Sequence, residues 1–255
     1  APYQERFELL ARHNLHVTMA ELREVRESIR SGSLWQLVEI RSRAHPKLLD
    51  ALRASLQDSS MFTVEEPLFN TKALFYTGPE TLQQPHVQRY KHFLKNGYKI
   101  HQDVKKIIII PELDTCALSS PQIQEWQREI RLTLAPKDQE HEVLIIMINP
   151  VVGLVPEDLF KMFPLSHNLY PTILDKDQEL MIYEELNTFF NRDDVFEKEV
   201  AFFIPDTFIS ELGVETTYLG GEFMEKCIDR VQKLHDKQII QLLTEIGEVL
   251  RFAVD

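Results

Sequence analysis

The stretch Ile107-Ile-Ile-Ile110 is entirely apolar, and so is a second run, Val143-Leu-Ile-Ile-Met-Ile148. Neither run alternates polar with apolar residues, as a strand with one solvated face does, so each is predicted to be a strand buried on both faces. Between the two runs, Ser120-Pro121 predicts the start of a helix, and apolar residues then recur at spacings of three and four up to Leu134. Strand, helix and strand together predict a β-α-β unit, which is right-handed by default.

Further strands and helices extend this unit in both directions. Lys72–Thr77 and the apolar run Val200–Ile204 predict two more strands, and Glu215–Leu219 is a candidate for the last one. The other predicted helices are Pro85–Lys95, Pro156–Met162, Asp175–Phe190, Asp206–Leu212 and a long amphipathic segment, Glu222–Ala253, with a break near His235. Strands that alternate with helices predict a three-layer α/β domain with a mostly parallel central sheet.

The N-terminal region is predicted to consist of four short helices. The first covers Tyr3–Ala11, and Thr18-Met-Ala-Glu21 has the pattern of a capping box that opens the second. The second helix is predicted to stop before Gly32, because glycine commonly follows the end of a helix. The third and fourth helices are predicted to begin at Ser33 and at Pro46.

The 255 residues are thus predicted to form two parts, a helical segment over residues 1–60 and the α/β domain over residues 61–255. The net charge of −12 disfavours nucleic-acid binding over the whole surface, because phosphates require a basic surface. The charge is uneven, however: residues 1–60 contain nine Lys and Arg against eight Asp and Glu, whereas the remaining residues contain 19 against 32. Any contact with a polyanion is therefore expected in the helical segment.

Five arginines of the helical segment are the candidates for such a contact. Arg23, Arg26 and Arg30 recur at helical spacing, and Arg41 and Arg43 follow them. One hypothesis is that these side chains bind phosphates. The alternative is a solvated helix face with interleaved glutamates, which has no binding role.

Composition and motifs exclude several classes of protein. Two cysteines are too few for a disulfide framework, or for a structural zinc site made by this chain alone. The sequence contains no phosphate-binding loop and no GxGxxG, HExxH, CxxC or GxSxG motif. No run approaches the roughly 20 apolar residues of a membrane span, and the start of the chain lacks the features of a signal peptide. A cytoplasmic protein without a membrane partner is expected.

Candidate catalytic residues follow the predicted strands. In parallel sheets ligands bind outside the carboxyl ends of the strands, which here means Pro111–Ser120 and Asn149–Pro156. Glu112, Asp114 and Cys116 lie in the first of these segments. Two acids at a strand end could act as a catalytic pair or be ordinary loop acids. The thiol could be reactive, but an inert cysteine is favoured because no basic residue lies near it in the sequence.

Six segments of the sequence resemble one known family, and they come in that family's own order. The segments are Arg12–His16, Arg23–Glu27, Ser31–Val38, Arg41–Leu49, Phe75–Leu82 and Asn149–Pro156. Together they resemble archaeal proteins of the archaeosine pathway, the archaeosine tRNA-guanine transglycosylase and its paralogue archaeosine synthase. The resemblance begins at the tail of the transglycosylase domain, so the chain corresponds to the region downstream of the catalytic barrel.

The resemblance has consequences for two sets of residues. His13 matches a histidine ligand of the family's zinc ion, but the three cysteine ligands have no counterpart in this chain, so it implies no zinc unless a partner supplies cysteines. Archaeosine synthase carries a Pro-Cys-Ser-x-x-Lys-Pro-Tyr-Ser signature after the first core strand. Only its first and last positions are matched, by Pro111 and Ser119, and Cys116 stands at the lysine position. The missing lysine therefore argues against independent synthase activity.

The resemblance implies a tRNA-modification protein of the archaeosine pathway, non-catalytic or dependent on a partner. It would bind tRNA and support a catalytic subunit that carries the transglycosylase barrel, or it would act as a homodimer. One alternative is an enzyme of the synthase type that acts on 7-cyano-7-deazaguanine in tRNA, through Glu112, Asp114 or Cys116. The other alternative is an interaction or dimerisation scaffold.

Overall fold

The structure of the protein is a computed structural model. It describes residues 3–57, 62, 73–112, 121–165, 167–171, 173–205, 207–209, 215–217, 221–234 and 240–254. Its helices are α1 (Tyr3–Arg30), α2 (Leu34–Ser42), α3 (Pro46–Gln57), α4 (Pro85–Asn96), α5 (Pro121–Leu134), α6 (Lys176–Phe190), α7 (Gly221–Leu234) and α8 (Ile246–Val254). Its strands are β1 (Leu74–Phe75), β2 (Lys106–Pro111), β3 (Val143–Asn149), β4 (Gly153–Pro156), β5 (Asn168–Leu169), β6 (Glu199–Phe203), β7 (Thr207–Ile209), β8 (Glu215–Thr217) and β9 (Ile240–Leu243).

Strand β2 lies at the centre of the main sheet, whose order is β4-β3-β2-β6-β9. It runs parallel to β3 on one side and to β6 on the other, and β9 continues the parallel arrangement. Only the edge strand β4 is antiparallel. All four isoleucines of Ile107–Ile110 are completely buried, which confirms the prediction of strands covered on both faces in a mostly parallel sheet.

Helices cover both faces of this sheet. Trp126 of α5 packs edge-on against Phe203 of β6 with ring centroids 4.7 Å apart, and Phe190 of α6 stacks on Phe202 at 6.1 Å. Successive side chains of a strand point to opposite faces, so α5 and α6 lie on opposite sides of the sheet. The predicted three-layer α/β architecture is confirmed. No helix within the described residues has the length and apolarity needed to cross a bilayer.

The prediction of two helices before Gly32 was wrong, because α1 is one continuous helix of 28 residues. Thr18 does not cap a helix start: its hydroxyl donates to the carbonyl of Asn14, one turn earlier in the same helix, at 2.9 Å. No glycine or proline lies between Tyr3 and Arg30 to interrupt the helix. The predicted helices from Ser33 and from Pro46 correspond to α2 and α3.

Two predictions failed near the C-terminal end. Thr207–Ile209, predicted as helix, is a strand that pairs antiparallel with Glu215–Thr217, because β-branched and aromatic residues favour an extended chain when a partner strand is available. The amphipathic segment Glu222–Ala253 contains strand β9 between α7 and α8. Short apolar runs fit a helix or a strand equally well, and pairing with β6 decided this one.

A further prediction failed directly after β3. The segment predicted as the helix Pro156–Met162 contains only a 3₁₀ turn, Glu157–Leu159, and the hairpin strand β4 comes before it. The hairpin is closed by Asn149, whose side-chain oxygen accepts from the amides of Val151 and Val152 at 2.9 and 3.1 Å. The predicted cap Ser120 and the predicted strand residue Lys72 lie outside the described residues.

Candidate functional site

Helix α1 carries an uncovered apolar face. Ser28 is its only buried residue. Phe7, Leu10, Val17 and Val25 recur at spacings that place them on one side of a helix, and Phe7 and Leu10 are each more than 60% exposed. These four residues are called the apolar face of α1 below. Exposed apolar residues grouped on one side of a helix are typical of an interaction site.

Arginines occupy the opposite side of the same helix. Arg12, Arg23, Arg26 and Arg30 are separated by eleven, three and four residues, which again places them on one face, and all four are exposed. Arg30 lies 4.0 Å from Glu27. The other three make no ion pair or hydrogen bond within the part of the chain that the structure describes. These four residues are called the arginine face of α1.

Arg41 and Arg43 are in a different situation from the arginine face. Arg41 of α2 contacts Glu21 and Glu24 of α1 at 3.1 and 2.6 Å, with all three side chains about half exposed. Arg43 is two-thirds buried and lies 2.7 Å from Glu80. The structure therefore gives both of these predicted phosphate ligands acidic partners inside the molecule. Phosphate binding by the arginine face stays a prediction.

His13 lies in the middle of α1, where it is exposed. Among the described residues, no group of three or more His, Cys, Asp and Glu side chains could hold a metal ion. His13 alone does not make a zinc site, because such a site needs three or four ligands. The described residues alone therefore do not complete the family's zinc site, and the expectation of no zinc without a partner's cysteines stays a prediction.

Glu112 lies at the carboxyl end of β2, as predicted, and is buried. Its carboxylate accepts a hydrogen bond from the hydroxyl of Tyr170 at 3.1 Å, and its amide donates to Ile148 at 2.9 Å. The other two candidate catalytic residues, Asp114 and Cys116, lie outside the described residues. A buried acid held by a tyrosine is compatible with a structural or a catalytic role, and the catalytic role of Glu112 stays a prediction.

A buried carboxylate joins α2 to the turn Pro79–Gln83 and its neighbours. Glu39 of α2 has no exposed surface. It accepts hydrogen bonds from the hydroxyls of Thr77 and Thr81, the latter at 2.8 Å, and from the side-chain amide of Gln84 at 2.6 Å. Burial raises the pKa of Glu39, although the three hydrogen bonds and Arg43 lower it. All three donors lie on or beside the 3₁₀ turn Pro79–Gln83.

Ion pairs reinforce this contact. Glu80, whose side chain is 3% exposed, accepts from Arg43, which directly follows α2, at 2.7 Å and from Arg53 of α3 at 2.8 Å. Arg43 also donates to the backbone carbonyl of Glu39 at 2.7 Å. Two carboxylates and two guanidinium groups therefore balance one another. We call Glu39, Arg43, Arg53, Glu80, Thr77, Thr81 and Gln84 the junction network.

Sequence reasoning did not identify the junction network as a site. Thr77 ended a predicted strand, and Glu80 and Thr81 were noted only for the resemblance of their segment to the family. The available signal was that Glu39 interrupts the apolar residues of α2, and that Gly78 comes directly before Pro79. A charged residue within an apolar stretch indicates a buried partner, but it does not say where in the chain the partner lies.

A groove of about 790 Å³ opens beside the junction network, between α3, the turn Pro79–Gln83, α4 and α6. Its basic side chains are Arg53, Lys91, His92 and Lys95, and its acidic side chains are Glu80, Asp177, Glu184 and Glu185. Within it Lys91 lies 3.7 Å from Glu185, and burial lowers the pKa of Lys91 and raises that of Glu185. Because its walls carry both signs of charge, the groove lacks the positive field that attracts a polyanion.

A buried histidine lies close to the junction network. The ring of His86 is tilted against Phe163 with centroids 5.4 Å apart, and its Nε2 atom has no hydrogen-bond partner within the described residues. Burial, and to a lesser extent Arg89, lowers the pKa of His86 to about 4. The unfolded state therefore binds more protons than the folded state between pH 6.5 and 4. The free energy of unfolding consequently decreases as the pH falls through that range.

We expect His86→Leu to remove this part of the acid sensitivity. The free energy of unfolding, measured by urea titration at several pH values between about 7 and 4, should fall more steeply for the unmodified protein than for the variant. His101→Leu, at an exposed histidine, is the matched control and should follow the unmodified protein. A difference between His86→Leu and the unmodified protein that does not change with pH would contradict the prediction.

Comparison with known proteins finds similar sequences in one family. A family described as Queuine tRNA-ribosyltransferase matches residues 3–47, which cover α1, α2 and the start of α3. A tRNA-guanine(15) transglycosylase of Methanothermobacter thermautotrophicus is 29% identical over 97% of this chain and 35% of its own length. The enzyme of the same name from Methanocaldococcus jannaschii is 33% identical over 69% of this chain and 24% of its own length.

A third relative of that name, from Methanosphaera stadtmanae, is 30% identical over 73% of this chain and 28% of its own length. The chain thus spans about a third or less of the length of these curated relatives. The matches include α1 and α2, which carry the two faces of α1 and Glu39 of the junction network, and the most extensive of them covers almost the whole chain. The chain belongs to the tRNA-guanine transglycosylase family.

Proposed function

We propose that this chain is a non-catalytic region of a tRNA-modifying transglycosylase of the archaeosine type, and that it supports a catalytic barrel on tRNA. The observation that carries the proposal is the amphipathic character of α1, which has the apolar face on one side and the arginine face on the other. A helix with this distribution can contact two partners at once. The names of the relatives support tRNA as one partner, and the resemblance to the region downstream of the barrel supports the barrel as the other.

The apolar face would pack against the barrel. In the family this helix comes at the end of the transglycosylase domain, so burial of Phe7, Leu10 and Val17 against that domain would remove their apolar surface from water. The same face would be buried whether the barrel belongs to the same polypeptide or to a partner subunit. Zinc is not part of this proposal, because His13 is the only residue of the chain that matches a family zinc ligand.

The arginine face would then point toward tRNA. Helix α1 extends for about 42 Å at about 1.5 Å per residue, and its arginines could contact phosphates without reading bases. Phosphate contacts of this kind would strengthen binding to tRNA in a salt-dependent way. The acidic α/β domain and the mixed charges of the groove make other regions of the described surface less suitable for a polyanion.

We expect the triple variant Arg23→Gln, Arg26→Gln and Arg30→Gln to bind tRNA more weakly. The slope of log affinity against log salt should decrease by about 0.7–0.9 for each phosphate that the variant no longer neutralises. Both quantities can be measured by fluorescence anisotropy over a salt series.

The matched control removes three exposed charges from the α/β domain by replacing Arg128, Lys137 and Arg251 with glutamine. It should leave the slope unchanged. Equal effects of the two triple variants would show that only net charge matters, and an unchanged slope in both would leave the arginine face without a role in tRNA binding.

A second candidate function is that of a synthase-type enzyme. The buried contact between Glu112 and Tyr170 at the carboxyl end of β2 favours it, because this is the edge of the sheet where ligands of parallel sheets bind. It requires that the chain alone modifies tRNA containing 7-cyano-7-deazaguanine. Such activity, abolished in Glu112→Gln, would replace the non-catalytic function proposed above.

A further inference from the structure

We propose that Glu39 is a positioning residue, and that the junction network holds the helical segment to the α/β domain in a single orientation. The network joins two parts of the chain that are distant in sequence: its helical side lies on α2 and α3, and its other side lies at residues 77–84. It is the point at which the direction of α1 relative to the sheet is fixed.

The Glu39 contact is directional. The helix offers one carboxylate, and the α/β domain offers three donors, from Thr77, Thr81 and Gln84. A carboxylate only accepts hydrogen bonds when ionised, so it can satisfy all three donors together. Because the site is closed to water, a small rotation of α2 would leave buried donors without partners, which is strongly unfavourable.

The junction also has more than one point of attachment. One buried contact would still allow α2 to rotate about it. Glu80 adds contacts to Arg43 at the C-terminal cap of α2 and to Arg53 of α3, so the ends of two helices are held at the same turn. Charge-assisted contacts to a buried carboxylate are geometrically specific. Because α2 and α3 are both attached to this turn, α2 is no longer free to rotate about the Glu39 contact.

Helix α1 is firmly connected to α2. The two helices are joined by a tight turn in which the amide of Ser33 donates to the carbonyl of Ser28 at 2.8 Å, and Gly32 adopts a φ of 70°. Arg41 adds contacts from α2 to Glu21 and Glu24 of α1. The direction of α1 therefore follows the direction of α2, which the junction network sets.

The role of the junction network in tRNA modification rests on the proposed function. If the apolar face of α1 packs on a barrel and the arginine face contacts tRNA, the junction network determines where the α/β domain stands relative to both. The orientation itself, however, is a property of this chain, and it can be measured without tRNA or barrel. Failure of the proposed function and failure of this inference are therefore distinguishable.

The test is a distance measurement by pulsed electron paramagnetic resonance between spin labels on α1 and on α5. Suitable labelling sites are Glu8→Cys and Leu132→Cys, which are both exposed, in a background with Cys116→Ala and Cys227→Ala. The protein with an intact junction network should give one narrow distance distribution. A broad distribution in that protein would overturn the proposal without any further variant.

Two variants then test the network itself. Glu39→Gln replaces one acceptor oxygen by a donor that opposes the donors around it, and Arg43→Met removes the contact to Glu80. Each should broaden the distance distribution roughly twofold or more, because several orientations become populated. Ile228→Val, a conservative change in the buried part of α7, is the control for reduced stability and should keep the distribution narrow.

Circular dichroism would show that each variant is folded before the distances are compared. Narrow and unshifted distributions in a folded Glu39→Gln or Arg43→Met protein would mean that the network contributes only local packing, and the proposal would be wrong. If one of the two does not fold, the other decides. If neither variant folds, the proposal is judged by the unmodified network alone: a narrow distance distribution supports it, and a broad one overturns it.

Discussion

Replacement of Gly78 by alanine is expected to lower the free energy of unfolding by about 2–4 kcal/mol. Gly78 has φ 155° and ψ −175°, a region that is almost restricted to glycine. A Cβ atom at this position would lie 2.4 Å from Nη2 of Arg43. The guanidinium group would have to move away from Glu80, and the buried carboxylate would be left with one of its two cationic partners.

Gly247→Ala is the matched control for this variant. Gly247 lies in α8, where no atom comes within 4 Å of an added Cβ atom. Alanine is a better helix former than glycine, so the control is expected to stabilise the protein by up to about 1 kcal/mol. Urea unfolding followed by circular dichroism measures both effects. A Gly78→Ala protein as stable as the unmodified one would show that the close approach of Arg43 to this glycine is unimportant.

Association with the proposed partner, a transglycosylase barrel, is expected to be abolished in the double variant Leu10→Asp and Val17→Asp. Both side chains belong to the apolar face of α1, and two carboxylates there would have to be buried without partners in the complex. An interface with a stable partner should cover about 1,000 Å² or more, and charges at its centre should weaken association by roughly 100-fold or more. Co-purification with a barrel protein of the family measures this effect.

The same substitution at two exposed apolar positions of the α/β domain is the control. Leu132→Asp and Ile173→Asp change side chains that are 60% and 77% exposed, and they should leave co-purification unchanged. Circular dichroism should show an intact fold in both double variants, because none of the four residues lies in a strand of the central sheet. Continued co-purification of the Leu10 and Val17 variant would contradict the proposed docking face.

Two further outcomes would point to other functions. If the unmodified chain forms a dimer that the Leu10 and Val17 variant cannot form, the apolar face is a contact between two copies, as in a dimerisation scaffold. If the chain alone transfers lysine or exchanges the base in tRNA, it is an enzyme and does not depend on a catalytic partner. Size-exclusion chromatography and an assay for modified tRNA separate these outcomes from the expected one.

The sequence by itself determined the central part of the fold. Three all-apolar runs, at 107–110, 143–148 and 200–204, specified parallel strands covered on both faces, because a strand with a solvated face would have to alternate. Asp175 specified the start of α6, and its side chain accepts from the amide of Gln178 in a capping box. These features depend only on residues close in sequence, so a local pattern is enough to predict them. Six short segments were likewise enough to identify the family.

Only the tertiary structure decided the features that need a distant partner. Ile240–Leu243 became a strand because the edge of β6 was available to pair with it, and Thr207–Ile209 did so because Glu215–Thr217 lies opposite. Arg23 and Arg43 were both predicted from the sequence to bind phosphate. In the structure Arg43 contacts Glu80, whereas Arg23 is exposed to solvent. Glu39 and its donors are separated by about 40 residues of chain, and nothing local to α2 indicates which turn will supply them. A buried charge is stable only with partners around it, and folding, not the neighbouring sequence, brings those partners together.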